Sequence, residues 1–356
     1  MKLGILTFHN ALNFGAIMQT YALQYFIRQN HPHIDVEIID YRSKMLSDKY
    51  IYMEIISGNK IKAPFRIINR FLKKKRYKEF IKRRISFSES VYDDNSIKDA
   101  DIQYDLFIVG SDQVWNPDLS GGDMNYLLRF ANPVKRNSYA ASIGQTNLPS
   151  MYRESFPPIL NSFNNISVRE NMAAALLKDI GVDKHINVDV DPTMLLSEAE
   201  WNMVAGNRYD KKKYIFVYMV NCAESLLNNA CDFARNNGCD VVYVGPYIRK
   251  TGIRYFPNPQ VERILVFFRN AEFVFTNSFH GTAFSILYRK QFLIDAPYSD
   301  GRNERLYNLL ALCGLTERTI ASADRMAEVI DWAAVDAIVE KEREKSCKYI
   351  EKIVAR

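Results

Sequence analysis

The chain has 356 residues, 47% of them apolar and 25% charged, with a formal net charge of +6. That is more than one hydrophobic core usually holds, and it points to an ordinary globular protein of two domains. Its five cysteines form no C-x-x-C pair and meet no histidine at ligand spacing, which argues against a disulfide framework and a zinc module, and no apolar run approaches the ~20 residues of a membrane span.

Met1-Lys-Leu-Gly-Ile-Leu-Thr-Phe8 reads as a buried strand, too short and wrongly flanked for a signal peptide, so a cytoplasmic protein is expected. A strand at 2–8, a helix at about 16–30 and a strand at 35–41 begin an α/β alternation. Residues 66–84 carry ten Lys or Arg against the single acid Glu79, a local charge of +9 that leaves −3 for the remainder. Phe65, Ile68, Leu72, Phe80 and Ile81 fall at roughly helical spacing there, so the segment reads as a basic amphipathic helix. It suits a solvated surface helix, or a peripheral surface of 65–84 at the inner face of a membrane that meets anionic lipid or a lipid-pyrophosphate-linked substrate. Nucleic acid is not expected as a partner, because no binding motif accompanies the patch and the rest of the chain is mildly acidic.

Further strands are expected at 105–110, 137–142, 165–168 and 186–190, with helices at 151–163 and 170–180. Ser197-Glu-Ala-Glu200 is a capping box that opens a second α/β set. Its strands are expected at 213–220, 240–244, 273–276 and 291–295, its helices at 223–237, 259–270, 279–289 and 303–313, with a terminal helix at 322–354. The expected fold is α/β, with two Rossmann-like doubly wound domains, 1–195 and 196–356, facing a cleft where ligands meet.

Four strand-to-helix junctions carry the candidate chemistry. Asn13-Phe-Gly15, with Gln19 one turn on, either caps a helix or offers amides to a sugar hydroxyl or an anion. At Gly110-Ser-Asp-Gln-Val-Trp-Asn116, polar groups crowd where a buried strand surfaces: Ser111, Asp112, Gln113 and Asn116 can bind sugar hydroxyls and Trp115 can stack on a sugar face, unless Trp115 simply covers the core. Arg169 in Ser167-Val-Arg-Glu170 can clamp a carboxylate or phosphate, or pair with Glu170. In Ser278-Phe-His-Gly-Thr282, hydroxyls, a histidine and a glycine stand at a helix N-terminus, where orphan amides and the helix dipole favour anions; the alternative is a capped helix with a buried histidine.

Taken together, these motifs resemble the polysaccharide pyruvyl transferase family, with Tyr139-Ala-Ala-Ser-Ile-Gly144, Asp191-Pro-Thr193 and Asn303-Glu-Arg305 in the same order along the chain. The resemblance implies a glycosyltransferase-B-like fold and transfer of pyruvate from phosphoenolpyruvate to two hydroxyls of one sugar as a cyclic ketal, in capsule or exopolysaccharide biosynthesis. It places Arg169 and His280 on the donor, with a main-chain contact at Phe279. The donor set is then Arg169, Ser278, Phe279, His280, Gly281, Thr282 and Arg305; the acceptor set is Asn13, Gly15, Gln19, Ser111, Asp112, Gln113, Trp115 and Asn116, on the N-terminal domain. His280 is assigned as general acid and Asp112 as the group that orients or deprotonates the acceptor hydroxyl. No metal and no cofactor beyond the co-substrate are expected. The chain has Asn277 where relatives often carry Asp. The competing readings are a nucleotide-sugar glycosyltransferase or epimerase in the same cleft, and a glycan-binding protein without turnover.

Overall fold

The structure, a computed structural model, describes residues 1–44, 63–208, 210, 212–296, 303–321 and 328–355. The chain forms two compact units: residues 1–64, 81–195 and 341–356 make the first, and 65–80 with 196–340 the second. A single cut at 195/196 therefore does not divide the chain, because sixteen residues of the basic helix and the last turns of the terminal helix belong with the other half.

The first unit is built on parallel strands β1 (Lys2–Leu6), β2 (Asp35–Tyr41), β3 (Phe87–Tyr92), β4 (Leu106–Val109) and β5 (Arg136–Ser138), in the order β3-β2-β1-β4-β5. Isolated bridges Asn137↔Asn165 and Ala141↔Val168 lead on to the parallel pair β6 (Ile166–Val168) and β7 (Ile186–Val188). The central strands are continuous apolar runs, as expected where helices cover both faces of a parallel sheet. Helix α1 (Phe14–Asn30) follows β1; Asn13 caps it by accepting hydrogen bonds from the amides of Gly15 (2.8 Å) and Ala16 (3.3 Å). The basic segment is helix α2 (Ala63–Arg84), and α3 (Ser150–Leu160) and α4 (Asn171–Asp179) complete this part of the chain.

The second unit opens with α5 (Glu198–Ala205), whose capping box forms as the sequence requires: the Glu200 amide donates to Ser197 Oγ (3.3 Å) and the Ser197 amide to Glu200 Oε2 (2.7 Å). It then continues through β8 (Tyr214–Tyr218), α6 (Glu224–Asn236), β9 (Asp240–Val244), β10 (Ile253–Tyr255), α7 (Val261–Asn270), β11 (Phe273–Thr276), α8 (Phe279–Leu287), β12 (Gln291–Ile294) and α9 (Glu304–Leu312). Its sheet order, β10-β9-β8-β11-β12, repeats that of the first unit, again all parallel. The terminal helix α10 (Trp332–Val354) starts later than the 322–354 expectation, of which 322–327 lie outside the described residues. Its last turns are fixed to the first unit through polar contacts: Ser346 Oγ donates to Asp189 Oδ1 (2.9 Å), and Tyr349 Oη to the Ser138 carbonyl (2.9 Å).

Strands β3 and β10 are not among the expected elements, and two further elements depart from the expected pattern. The strand expected at 137–142 stops at Ser138 because Ala140 takes a φ of 45°, leaving Ala141 only the isolated bridges to Asp112 and Val168. Gly110 faces that bend with φ 110°, and a Cβ there would stand 2.3 Å from the Tyr139 carbonyl oxygen, so only glycine fits. In α2, Tyr77 and Phe80 are buried while Leu72 is 38% exposed, so the packed stripe is rotated from the one expected; the side chains of Phe65 and Ile68 lie outside the described residues.

Candidate functional site

In a doubly wound sheet, ligands bind beyond the carboxyl ends of the strands where the strand order reverses. In the first unit that point lies between β1 and β4, and in the second between β8 and β11. The loops at 7–13 and 110–116 leave the first, and the loops after Tyr218 and Thr276 leave the second.

At the first point, Arg169 projects from the end of β6 into a buried group of carboxylates. Its Nη1 lies 2.6 Å from Asp191 Oδ2, its Nη2 3.7 Å from Asp112 Oδ1 and its Nε 3.9 Å from Glu170 Oε2. Burial opposes the charge on Arg169, but Asp191, Asp112 and Glu170 more than offset this and raise its pKa further. Each carboxylate is held by other groups. Asp191 Oδ1 accepts from the Thr193 amide (3.0 Å) and hydroxyl (2.8 Å), and Glu170 Oε1 from Ser142 Oγ (2.8 Å) and the amides of Ile143 (3.1 Å) and Gly144 (3.2 Å). Asp112 is half-buried, with φ 72°, a region costly for a residue with a side chain and one where strain collects at functional sites. Its backbone is secured by Ser142, whose amide donates to the Asp112 carbonyl (2.9 Å).

Much of the expected acceptor set turns out to be architecture. Trp115 is 1% exposed: its indole Nε1 donates to the Tyr126 carbonyl (3.0 Å) and its ring packs edge-on to Phe163, so no face is available to a sugar. Gln19 is fully buried and donates to Thr7 Oγ1 (3.0 Å) and the Ala16 carbonyl (2.8 Å). Ser111 is buried, its carbonyl accepting from Thr7 Oγ1 (2.9 Å). Asn116 caps a short turn of helix and donates to Gln113 Oε1 (2.9 Å), which in turn lies against Gly144, where a Cβ would stand 1.9 Å away. Gly15 is buried in the first turn of α1, where its amide serves the Asn13 cap. Asp112 and the exposed Asn13 remain as the accessible members of that set.

At the second point, Ser278 caps α8 by accepting from the Gly281 amide (3.3 Å), and the Thr282 hydroxyl turns back to donate to the Ser278 carbonyl (3.1 Å). Gly281 answers a packing need rather than a ligand's approach: a Cβ there would stand 2.1 Å from Thr276 Oγ1, which itself donates to the Tyr218 carbonyl (2.7 Å). His280 follows in the first turn, buried, with its ring 5.2 Å from that of Phe279 and nearly perpendicular to it. The Arg305 guanidinium lies 5.9 Å from the Phe279 ring centroid, so Arg305 stands near the first turn that carries Phe279 and His280. Asn277 uses both ends of its amide on the loop after β8, accepting from the Val220 amide (2.9 Å) and donating to the Asn221 carbonyl (2.9 Å). An aspartate there lacks the second bond.

The structure thus gathers Ser111, Asp112 and Arg169 in one unit and Ser278 to Thr282 with Arg305 in the other. Glu170 is the pairing partner that the sequence offers for Arg169; Asp191 is not read there as a partner, although it stands inside the Asp191-Pro-Thr193 motif. His9 was passed over too: its Nε2 lies 3.2 Å from Asp40 Oδ1, and Arg42 holds the same carboxylate through Nε (3.0 Å) and Nη2 (2.9 Å). A lone histidine directly after the first strand was the available signal. Among the described residues, no group of three or more His, Cys, Asp or Glu is placed to hold a metal ion.

Set beside solved structures, this architecture is that of the glycosyltransferase-B-type enzymes and their epimerase relatives. The S. aureus MnaA–UDP co-structure matches with a TM-score of 0.50 at 10% identity, over 100% of this chain and 98% of that one. UDP-GlcNAc 2-epimerase from Methanocaldococcus jannaschii in complex with UDP-GlcNAc and UDP matches at 0.49 and 12% identity, over 96% and 99% of the two chains, and E. coli heptosyltransferase WaaC with ADP at 0.41 and 10%, over 96% and 100%. At such identities the likeness concerns the fold alone. No curated protein matches the sequence. The polysaccharide pyruvyl transferase family model, however, matches residues 13–294, most of the chain and a span that includes Asn13, Asp112, Arg169 and His280. The chain belongs to that family, and is a transferase of polysaccharide biosynthesis.

Proposed function

We propose that the chain transfers pyruvate from phosphoenolpyruvate to two hydroxyls of one sugar, forming a cyclic ketal and releasing phosphate, in the cytoplasmic stage of capsule or exopolysaccharide assembly. The observation that carries this reading is the placement of His280 in the first turn of α8, at the strand-order reversal of its sheet. The helix dipole favours an anion there, and the imidazole stands in the same first turn. Family membership supplies the pyruvyl group as cargo.

In the proposed reaction His280 delivers a proton to the methylene carbon of the enol phosphate, making C2 an oxocarbenium-like electrophile. A sugar hydroxyl adds to C2, the C2–O bond to phosphate breaks, and a second hydroxyl closes the ketal as its proton leaves. Asp112 takes the role of orienting or deprotonating the attacking hydroxyl. Arg169 is the least straightforward of the donor residues, because its strongest contact is already Asp191; an incoming carboxylate or phosphate has to share or displace that pair. Phe279, through its main chain, and Arg305 complete the donor side, and the reaction as written uses no metal or cofactor. A lipid-pyrophosphate-linked glycan is the proposed acceptor.

The test is incubation with phosphoenolpyruvate and lipid-linked glycans, following phosphate release and the mass of the glycan. One pyruvyl ketal gained per phosphate released supports the assignment. Release of nucleotide from a nucleotide sugar, as the UDP and ADP complexes of its fold relatives suggest, replaces it with the competing transferase or epimerase reading.

A further inference from the structure

Helix α2 carries a surface that the proposed reaction does not use. Burial of Tyr77 and Phe80 fixes how the helix is turned. With 3.6 residues per turn, the opposite face is then Phe71, Lys75, Lys78 and Lys82, spaced four, three and four residues apart, with Lys74 beside them. All four lysines are exposed, and Phe71 is 68% exposed at the head of the stripe, with Leu72 38% exposed next to it. Among the described residues no carboxylate is paired with Lys74, Lys75, Lys78 or Lys82. Arg83 and Arg84 extend the exposed basic run to the helix end.

We propose that this face of α2 docks the protein on an anionic lipid bilayer, the lysines meeting headgroup phosphates and Phe71 with Leu72 entering the headgroup–acyl boundary. The chemistry asks for both parts. A row of cations alone recognises any polyanion, but a large apolar ring held out in water within the row gains free energy only by entering an apolar phase. Lysine stems can lie along that boundary while their ammonium groups stay with the phosphates. Charge complementarity favours the same partner: the stripe lies within a segment of +9, in which Glu79 is the single acid, whereas the rest of the chain sums to −3, so attraction is confined to this helix. A nucleic-acid duplex, whose bases stay stacked on one another, gains nothing from Phe71, and is repelled by the remainder. The inference does not depend on which donor or acceptor the enzyme uses.

The full chain should co-sediment with vesicles of equal parts phosphatidylglycerol and phosphatidylcholine and not with phosphatidylcholine alone, and the bound fraction should fall as salt rises. The triple variant Lys75→Ala, Lys78→Ala, Lys82→Ala should lower partitioning on the order of a hundredfold, and Phe71→Ser about tenfold. These positions are exposed, so unchanged circular dichroism and melting should accompany the loss. Absence of vesicle binding, equal binding to neutral vesicles, or indifference to the triple variant overturns the proposal. So does retention of a DNA duplex under conditions where anionic vesicles are ignored.

Discussion

Arg169 and Asp191, 22 positions apart in the sequence, form a buried ion pair at 2.6 Å between the ends of two neighbouring strands. Taking two such charges out of water is costly, and the geometry returns that cost only while both partners are present. Asp191→Ala is therefore expected to destabilise the protein by about 3 kcal/mol, because the guanidinium keeps only its longer contacts to Asp112 and Glu170. Removing both charges together, Arg169→Met with Asp191→Leu, should cost less than Asp191→Ala alone. Chemical denaturation of the wild type and both variants measures this, and a double variant that loses as much as Asp191→Ala or more would show that the pair is not coupled.

Trp115 offers a clean separation between a core residue and a sugar platform. Its ring is enclosed and its indole nitrogen satisfied, so Trp115→Ala should cost about 3–5 kcal/mol. Trp115→Phe, which keeps most of the ring volume, should fold and leave the acceptor KM unchanged. A raised KM with unchanged stability would return Trp115 to the acceptor site.

At the start of α8, Gly281 packs against Thr276. Gly281→Ala is expected to cost about 1–3 kcal/mol by overpacking, since the new methyl meets a hydroxyl that is itself bonded to the Tyr218 carbonyl. Thr276→Ala in the same chain should recover part of the loss. Melting of the single and double variants decides it; no recovery would mean that the glycine serves another purpose.

Two carboxylates give opposite pH dependences. Burial pushes Asp40 up, but hydrogen bonds and charge from His9 and Arg42 prevail and hold it well below the usual carboxylate range. Its contribution to stability is present above the unfolded-chain value of about 3.9 and is lost as pH falls from there toward the folded value. Asp189 is raised by burial despite hydroxyl donors from Ser167 and Ser346. Its contribution is full below about 3.9 and declines as pH rises through its folded value. Denaturation midpoints across pH should show Asp40→Asn losing most relative to wild type near neutrality and least in acid. Asp189→Asn should lack the wild-type decline with rising pH.

What was legible in the sequence follows the range of the forces involved. The strands at 240–244 and 273–276 and the Ser197–Glu200 box are local signals, apolar runs and a four-residue hydrogen-bond exchange, and they form where read. Edge strands β3 and β10 were missed because one face of each meets solvent and carries Ser, Glu or Arg in place of a continuous apolar run. Asp112, Arg169 and His280 stand out as candidates from their positions at strand ends, but the partnership of Arg169 with Asp191 depends on the register of β6 against β7, which no local pattern specifies. The role of Trp115 was ambiguous for a related reason: an aromatic residue where a strand surfaces serves the core or the ligand according to which way the loop turns.

The central claim is tested most directly by supplying phosphoenolpyruvate and lipid-linked glycan to the wild-type chain and to His280→Asn, and weighing the glycan by mass spectrometry. The account expects the wild type to add one pyruvyl ketal for each phosphate released, and the variant to fold normally while adding none. A His280→Asn protein that forms the ketal at the wild-type rate, or a wild type that leaves phosphoenolpyruvate untouched, would contradict it.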